Sequence, residues 1–429
     1  MRMRIERVSV SRINPAAYNP RKDLKPGDAE YEKLERSIAE FGLVEPLVWN
    51  RRTRNLVGGH HRFKVLLEQG ASEVEVSVVD LSLEKEKALN VALNKIQGKW
   101  DEAKLAELLD ELCKAPDFEV EVTGFDLPEV EHLLHQAGLD DDWQESFDVT
   151  ADLEAGGQPV TKPGDMIELG PHRLLCGHSS EPEDIRRLIK DEQAHMVFTD
   201  PPYNVDYYGG DRPQPKKARP KRSRNWRRIY SDDLSQGEYE GRLARVLEKV
   251  KEVLAPGAPV YVWNGHRQFG PMHLLLQGLG FKVSCVITWA KESFAIGYGD
   301  YNQQTEFCLY GWLEGRGAHR WYGPTNESTL WEVSREHTSS YHHPTQKPLE
   351  LAERAIRNSS RPGELVLDVF LGSGTTLIAA ERLGRRCYGI EIDPRYCDVV
   401  VRRYIACVGE SNVPSELVEH YRLLQSQEV

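Results

Sequence analysis

The stretch MVFTDPPYNVDY, residues 196–207, runs apolar and then stops at an acid, two prolines and an aromatic. Asp200, Pro201, Pro202 and Tyr203 therefore read as a group held at the mouth of a strand. One chemistry needs such a group. The exocyclic amine of adenine is a poor nucleophile because its lone pair is delocalised into the ring. If Asp200 and the Pro201 carbonyl accept its two hydrogens, the nitrogen moves toward tetrahedral geometry and the lone pair is freed. Catalysis is then mostly positioning and electrostatics. The paired prolines stiffen the carbonyl, and Tyr203 offers a stacking face for a base drawn out of a duplex. The plainer alternative is a strand-terminal proline turn with a solvated aspartate.

A second group lies in LDVFLGSGTTLIAAERLG, residues 367–384, a strand opening into Gly372, Ser373 and Gly374 and then a helix. Glycines there let a ligand approach the backbone, and the helix start presents free N–H groups. The next strand, YGI, ends at Glu391, an acid able to accept both hydroxyls of a ribose. The loop is not GxGxxG, and no long phosphate cradle is visible. That favours S-adenosylmethionine over NAD, whose pyrophosphate needs a clamp.

These residues need a scaffold. Residues 1 to about 135 read as one α/β unit, with helices in YEKLERSIAEFG and DEAKLAELLDELCK and strands in VEPLVWN and EVEVSVVDL. GGHHRFKVLLEQG reads as a glycine turn entering a helix. The acidic, glycine-ending stretch 137–160 is the linker candidate, leaving 1–136 and 161–429 as the two domains. From about residue 160 strands and helices alternate, which implies a parallel sheet covered on both faces.

The chain has 429 residues and a net charge of −12, which taken alone argues against a nucleic-acid partner. The distribution argues otherwise. GGDRPQPKKARPKRSRNWRRIY, residues 209–230, has nine Lys or Arg and one acid, so it can bind phosphates on an acidic protein. Seven cysteines without a CxxC pair suggest reduced thiols in a cytoplasm, with neither disulfides nor a metal site. No apolar run is long enough to span a bilayer, and MRMRIERVSV has no signal-peptide core.

DPPY, then HPTQKPLEL (343–351), then LDVFLGSGTT resembles the amino-group DNA methyltransferases of the beta order, in which the catalytic motif precedes the cofactor motif. The resemblance covers roughly 161–408 and implies a doubly wound, Rossmann-like α/β domain that uses S-adenosylmethionine and acts on double-stranded DNA. It implies that Asp200, Pro201, Pro202 and Tyr203 hold the target base. It gives Asp368, Phe370, Gly372, Ser373, Gly374 and Thr375 to the cofactor loop, Glu391 to the ribose and Lys347 to the cofactor carboxylate. DPPY rather than SPPY points to adenine N6 over cytosine N4. Where the family usually has Gly-Asp this chain has CGHS, so His178 stands at an adenine-ring contact. The segment between TEFCLYGWL and HPTQKP, with Arg316, Arg320, Asn326 and Arg335, falls where target recognition is expected.

NPR (19–21) and GGHHRFKVLLEQG resemble the ParB/sulfiredoxin-like N-terminal fold, in which a Gly-Gly turn at a helix start can hold phosphate; a nucleotide is the ligand this implies. Sulfiredoxins have Cys where His60 stands, so their reductase chemistry is not expected. Two other readings stay open: cytosine-N4 methylation, and a ParB-like DNA- or nucleotide-binding protein with a vestigial methyltransferase half. A homodimer stays open as well. RNA and protein-glutamine methyltransferases typically show Asn in place of Asp200.

Overall fold

Val74 and Val76 face inward while Glu73 and Glu75 face out, the alternation that EVEVSVV dictates for a half-buried strand. The computed structural model that contains this strand describes residues 4–95, 100–115, 120–139, 145–155, 157–204, 234–295, 300–333 and 347–422. The chain divides into two compact units, Met1–Trp143 and Gln144–Val429.

The first unit holds strands β1 (Ile5–Ser9), β2 (Asn14–Pro15), β3 (Leu47–Asn50), β4 (Asn55–Gly58) and β5 (Glu73–Val79), in the sheet order β1-β5-β3-β4-β2. Its helices are α1 (Ala29–Phe41), α2 (His60–Glu68), α3 (Leu83–Asn94), α4 (Glu102–Cys113) and α5 (Leu127–Gln136). The β4–α2 turn needs its glycine. Gly59 has φ 88°, and a Cβ there would fall 2.6 Å from Leu47. Tyr31, Ile38 and Val65 join α1 to α2. A separate cluster of Val91, Leu105, Leu109, Leu112 and Val130 packs α3, α4 and α5 together. Asp126 and Glu129 cap α5 reciprocally.

The second unit begins with α6 (Val149–Ala155). It continues through β6 (Met166–Leu169), β7 (His172–Cys176), α7 (Pro182–Ile189), β8 (Met196–Thr199), α8 (Gln236–Val253), β9 (Pro259–Asn264), α9 (Phe269–Gly278), β10 (Phe281–Ala295), β11 (Gln303–Leu313) and β12 (Leu330–Glu332). It closes with α10 (Leu349–Ser359), β13 (Leu365–Asp368), α11 (Thr375–Arg382), β14 (Arg386–Glu391), α12 (Pro394–Val408) and α13 (Ser415–Tyr421). The nine strands order as β12-β10-β11-β9-β8-β13-β14-β7-β6. The central run from β9 to β7 is parallel, as the alternating pattern requires, and β8 and β13 are buried along their whole length.

The sheet is mixed, not wholly parallel. β11 runs antiparallel to both β9 and β10, and β6 antiparallel to β7. Connection length is the reason: a tight turn at Gly170 joins β6 to β7, and the short 296–302 segment joins β10 to β11, both too brief for a parallel crossover.

The acidic stretch also behaves differently from a plain linker. Gln144 onward groups with the second unit, where α6 packs on α12 and Asp152 takes a forked pair from Arg402 at 2.6 Å. The basic stretch 209–230 lies outside the described residues. Its flanks do not: Asn204 Nδ2 donates to the Leu234 carbonyl (2.9 Å), and Leu234 N donates to Asn204 Oδ1 (2.8 Å). Among the described residues no helix is long and apolar enough to cross a membrane. All seven cysteines are free thiols.

Candidate active site

Strand order reverses between β8 and β13: β8 continues to β9 on one side, and β13 to β14 on the other. A crevice opens outside the carboxyl ends at such a point, and both predicted motifs begin there. Thr199, the last residue of β8, donates from Oγ1 to Asp368 Oδ1 (2.8 Å). That bond ties the strand carrying Asp200 to the strand carrying the glycine loop.

Asp368 is saturated by the protein itself. Its Oδ1 also accepts from Phe370 N (3.0 Å), and its Oδ2 accepts from Thr376 Oγ1 (2.6 Å). Burial pushes its carboxyl up to about 6, against the pull of those donors. Asp368 thus brackets the loop from beneath, while Phe370 packs against the core. Gly372 has φ 57° and Gly374 φ 89°, and the two serve different ends. A Cβ on Gly374 would press Val400 of α12 at 3.0 Å, whereas Gly372 faces open space, the side from which a ligand can reach the backbone.

Glu391 closes this side of the crevice. Its Oε2 accepts from Gly372 N and its Oε1 from Asp393 N, both at 2.8 Å. Burial raises its carboxyl to about 7, with the two backbone donors working against the rise. The CGHS turn sits alongside, since Gly177 N donates to the Glu391 carbonyl (2.9 Å). The His178 ring accepts from the Ser180 amide through Nδ1 (3.1 Å), and the His178 backbone N–H donates to Asp184 (2.8 Å). His178 is therefore at the crevice edge, with one ring nitrogen occupied.

At the mouth of β8 the predicted residues converge with two that the sequence reading missed. Lys347 Nζ donates to Asp200 Oδ2 (2.8 Å), to Glu306 Oε2 (2.8 Å) and to the Tyr203 hydroxyl (2.9 Å). The Tyr203 hydroxyl lies 2.8 Å from Asp200 Oδ1 and 3.1 Å from Glu306 Oε2. Lys291 pairs with the other Glu306 oxygen at 2.5 Å. Burial raises the Asp200 carboxyl, opposed by Lys347 and reinforced by Glu306. For Glu306 burial also acts upward, but the Lys347 and Lys291 ammonium groups prevail and hold it down at about 2. Lys347 lies 5.0 Å from the centre of the Trp263 ring, and Gly265 leaves room for Tyr203, whose ring a Cβ there would meet at 3.1 Å.

Lys347, assigned by resemblance to a cofactor carboxylate, thus stands on Asp200. Glu306 was read only as part of the TEFCLYGWL run, and Lys291 was not singled out at all. The signal for Glu306 was an acid inside the apolar run TEFCLYGWL, a residue type that a buried strand carries only when it is paired. The Pro202 carbonyl accepts from Tyr239 of α8 (2.7 Å), which fixes the turn. Of the recognition candidates, Arg320 is spent on Glu364 (2.6 Å) and on the Pro256 carbonyl; Asn326 and Arg316 are exposed, and Arg335 lies outside the described residues. His343 to Gln346 of HPTQKP also lie outside them.

A doubly wound sheet with a carboxylate and a glycine loop on neighbouring parallel strands defines the class of the second unit. The DNA methylase family profile matches residues 194–402, the ParB N-terminal domain profile residues 2–95, and the ParB-methyltransferase HTH domain profile residues 103–163. Along the chain a ParB N-terminal match thus precedes a DNA methylase match. The helix-turn-helix segment had not been read from the sequence, where only α4 was picked out, as an amphipathic helix.

Type II methyltransferase M2.DpnII of Streptococcus pneumoniae is 29% identical over 276 residues, covering 60% of this chain and 97% of that protein. Type II methyltransferase M.HpaI of Haemophilus parainfluenzae is 26% identical over 253 residues, covering 54% and 73%. Among solved structures, the M1.HpyAVI–SAM complex is 25% identical, with 54% of this chain and 98% of that one aligned at a TM-score of 0.39.

Proposed function

We propose that this protein transfers the methyl group of S-adenosylmethionine to the exocyclic N6 amine of an adenine extruded from double-stranded DNA. One observation carries the reading: a partly buried carboxylate, Asp200, at the same strand ends as an open glycine loop, with the Thr199–Asp368 bond joining the two strands that bear them. The crevice fits the cofactor. Gly372 leaves space for close backbone approach, and Glu391 offers a carboxylate of the kind that accepts ribose hydroxyls. When bound, the cofactor supplies an electrophilic methyl on a sulfonium; as the new N–C bond forms, the C–S bond breaks and a neutral thioether leaves.

The chain's own residues do the rest. Asp200 accepts one N–H of the target amine and the Pro201 carbonyl the other, which holds the lone pair in line for attack. The methylated nitrogen carries one proton too many, and Asp200, made more basic by burial, takes it. Tyr203 supplies the stacking face. Lys347 already occupies Asp200 as an amine would, so the target amine enters by replacing an ammonium donor while Glu306 retains the displaced charge. An anionic acceptor at this position, in place of serine, favours adenine over cytosine.

The N-terminal unit contributes targeting. Arg21, His61 and Arg62 gather near the start of α2, where backbone N–H groups favour an anion, a nucleotide phosphate or DNA. The test of the assignment is nucleoside analysis of DNA incubated with the protein and labelled S-adenosylmethionine. N6-methyladenine is expected; label in N4-methylcytosine alone overturns the adenine assignment, and no label in DNA overturns the reading as a whole.

A further inference from the structure

Three charged side chains of α12 meet the segment that precedes β6. Asp398 accepts from the backbone N–H of Val160 (2.8 Å) and Thr161 (3.0 Å), and Arg402 forks Asp152. Arg403 pairs with Glu145, its Nη2 donating to Oε2 at 2.7 Å and its Nε to Oε1. Asp398 and Arg402 only anchor the segment. Arg403 does more, because its remaining nitrogen turns the other way. Nη1 donates to the Ser373 carbonyl (2.9 Å) and reaches Thr375 Oγ1 (3.2 Å), within the glycine loop and the first residue of α11.

The pair is shut away from water, the Arg403 side chain 1% and the Glu145 side chain 5% exposed. A guanidinium is a rigid plane, so a carboxylate that grips two of its nitrogens fixes where the third can point. Glu145 thereby sets the place of the Ser373 carbonyl. Ser373 lies between Gly372, whose N–H is committed to Glu391, and Gly374, which packs on Val400. A shift of the carbonyl must therefore be felt at the ligand-facing Gly372. Glu145 itself lies within the 103–163 helix-turn-helix match, outside the 194–402 methylase match.

We propose that Glu145 is a positioning residue for the cofactor loop, acting through Arg403, so that the segment leaving the helix-turn-helix region is a working part of the cofactor site. The proposal rests on the methyl-transfer reading and deepens it. Without Glu145, Arg403 is a buried cation lacking its counter-charge, and it is drawn toward the oxygens of the loop.

The test uses the full chain with Glu145→Gln, checked for fold by circular dichroism, and measures S-adenosylmethionine binding by calorimetry alongside DNA binding. The cofactor Kd is expected to rise about tenfold or more, with DNA affinity held within about twofold and partial recovery in Glu145→Asp. A folded Glu145→Gln protein with a cofactor Kd within about twofold of wild type overturns the proposal, whatever happens to its melting temperature. Should that variant fail to fold, the uncharged pair Glu145→Met with Arg403→Met leaves no buried charge unpaired and decides on the same criterion. If the wild-type protein shows no cofactor binding at all, the methyl-transfer reading falls and this proposal with it.

Discussion

Four charges at the mouth of β8 cancel: Asp200 and Glu306 against Lys291 and Lys347. Balance of this kind is fragile, because removing one member of a partly buried set leaves another uncompensated, at a cost of up to about 3 kcal/mol. Glu306→Gln should draw Lys347 fully onto Asp200 and leave Lys291 with no acid partner among the described residues. Single-turnover methyl transfer is expected to fall by about 10–100-fold, with cofactor Kd changed by less than about threefold. A rate close to wild type in the glutamine variant would show that Glu306 does not govern access to Asp200. Glu391 gives a pH test. Its folded carboxyl sits at about 7, above its ordinary value, so the native state holds the extra proton and stability falls as pH rises from the ordinary value toward 7. Binding runs the other way, because ribose hydroxyls donate to the ionised form. Cofactor affinity should climb through pH 7 by at most about tenfold per unit, and Glu391→Gln should flatten the climb. Calorimetric titrations between pH 6 and 8 would contradict this if the wild-type affinity stayed constant.

Among the elements, the turn between β13 and α11 decides most. Gly374 combines φ 89° with only 3.0 Å between its would-be Cβ and Val400, so Gly374→Ala should cost about 1–3 kcal/mol of stability through strain and overpacking. Gly372 has open space, so Gly372→Ala should cost only the left-handed backbone term, about 1–2 kcal/mol, yet weaken cofactor binding more than Gly374→Ala does. Denaturant melts and cofactor titrations of the two variants check the ranking; equal effects on binding would refute the division of roles. The turn, and the DPPY strand end, could be read from the sequence because their meaning is local: glycine, proline and an acid act through backbone shape within a few residues. The parallel centre of the sheet was legible for the same reason, each buried strand being a short apolar run. Glu306, Lys291 and the Glu145–Arg403 pair were not, since their partners lie far off in the chain and only the folded sheet supplies them. Acid density in 137–160 looked like a linker because the arginines that match it lie on α12. The resemblance placed Lys347 at the site, but its bond to Asp200 depends on how α10 approaches β8, which no motif states.

On the scale of the whole molecule, the residues proposed for methyl transfer all follow Trp143, and so does Glu145. Deleting residues 1–143 should therefore keep cofactor Kd within about threefold while lowering DNA affinity or changing the sites chosen. A loss of about a hundredfold or more in single-turnover rate at saturating DNA, with the fold intact, would mean that the N-terminal domain belongs to the catalytic machinery. The acidic total of −12 is no obstacle to DNA binding when cationic residues are concentrated in one stretch, because only the local field meets the phosphates.

The central claim is that Asp200 acts on the target amine and not on the cofactor. Single-turnover methylation of DNA by Asp200→Ala, at saturating DNA and S-adenosylmethionine, tests it most directly. The account predicts a fall of about a thousandfold or more with cofactor Kd within about threefold of wild type. A rate within about threefold of wild type, or a loss of activity that follows entirely from lost cofactor binding, would contradict it.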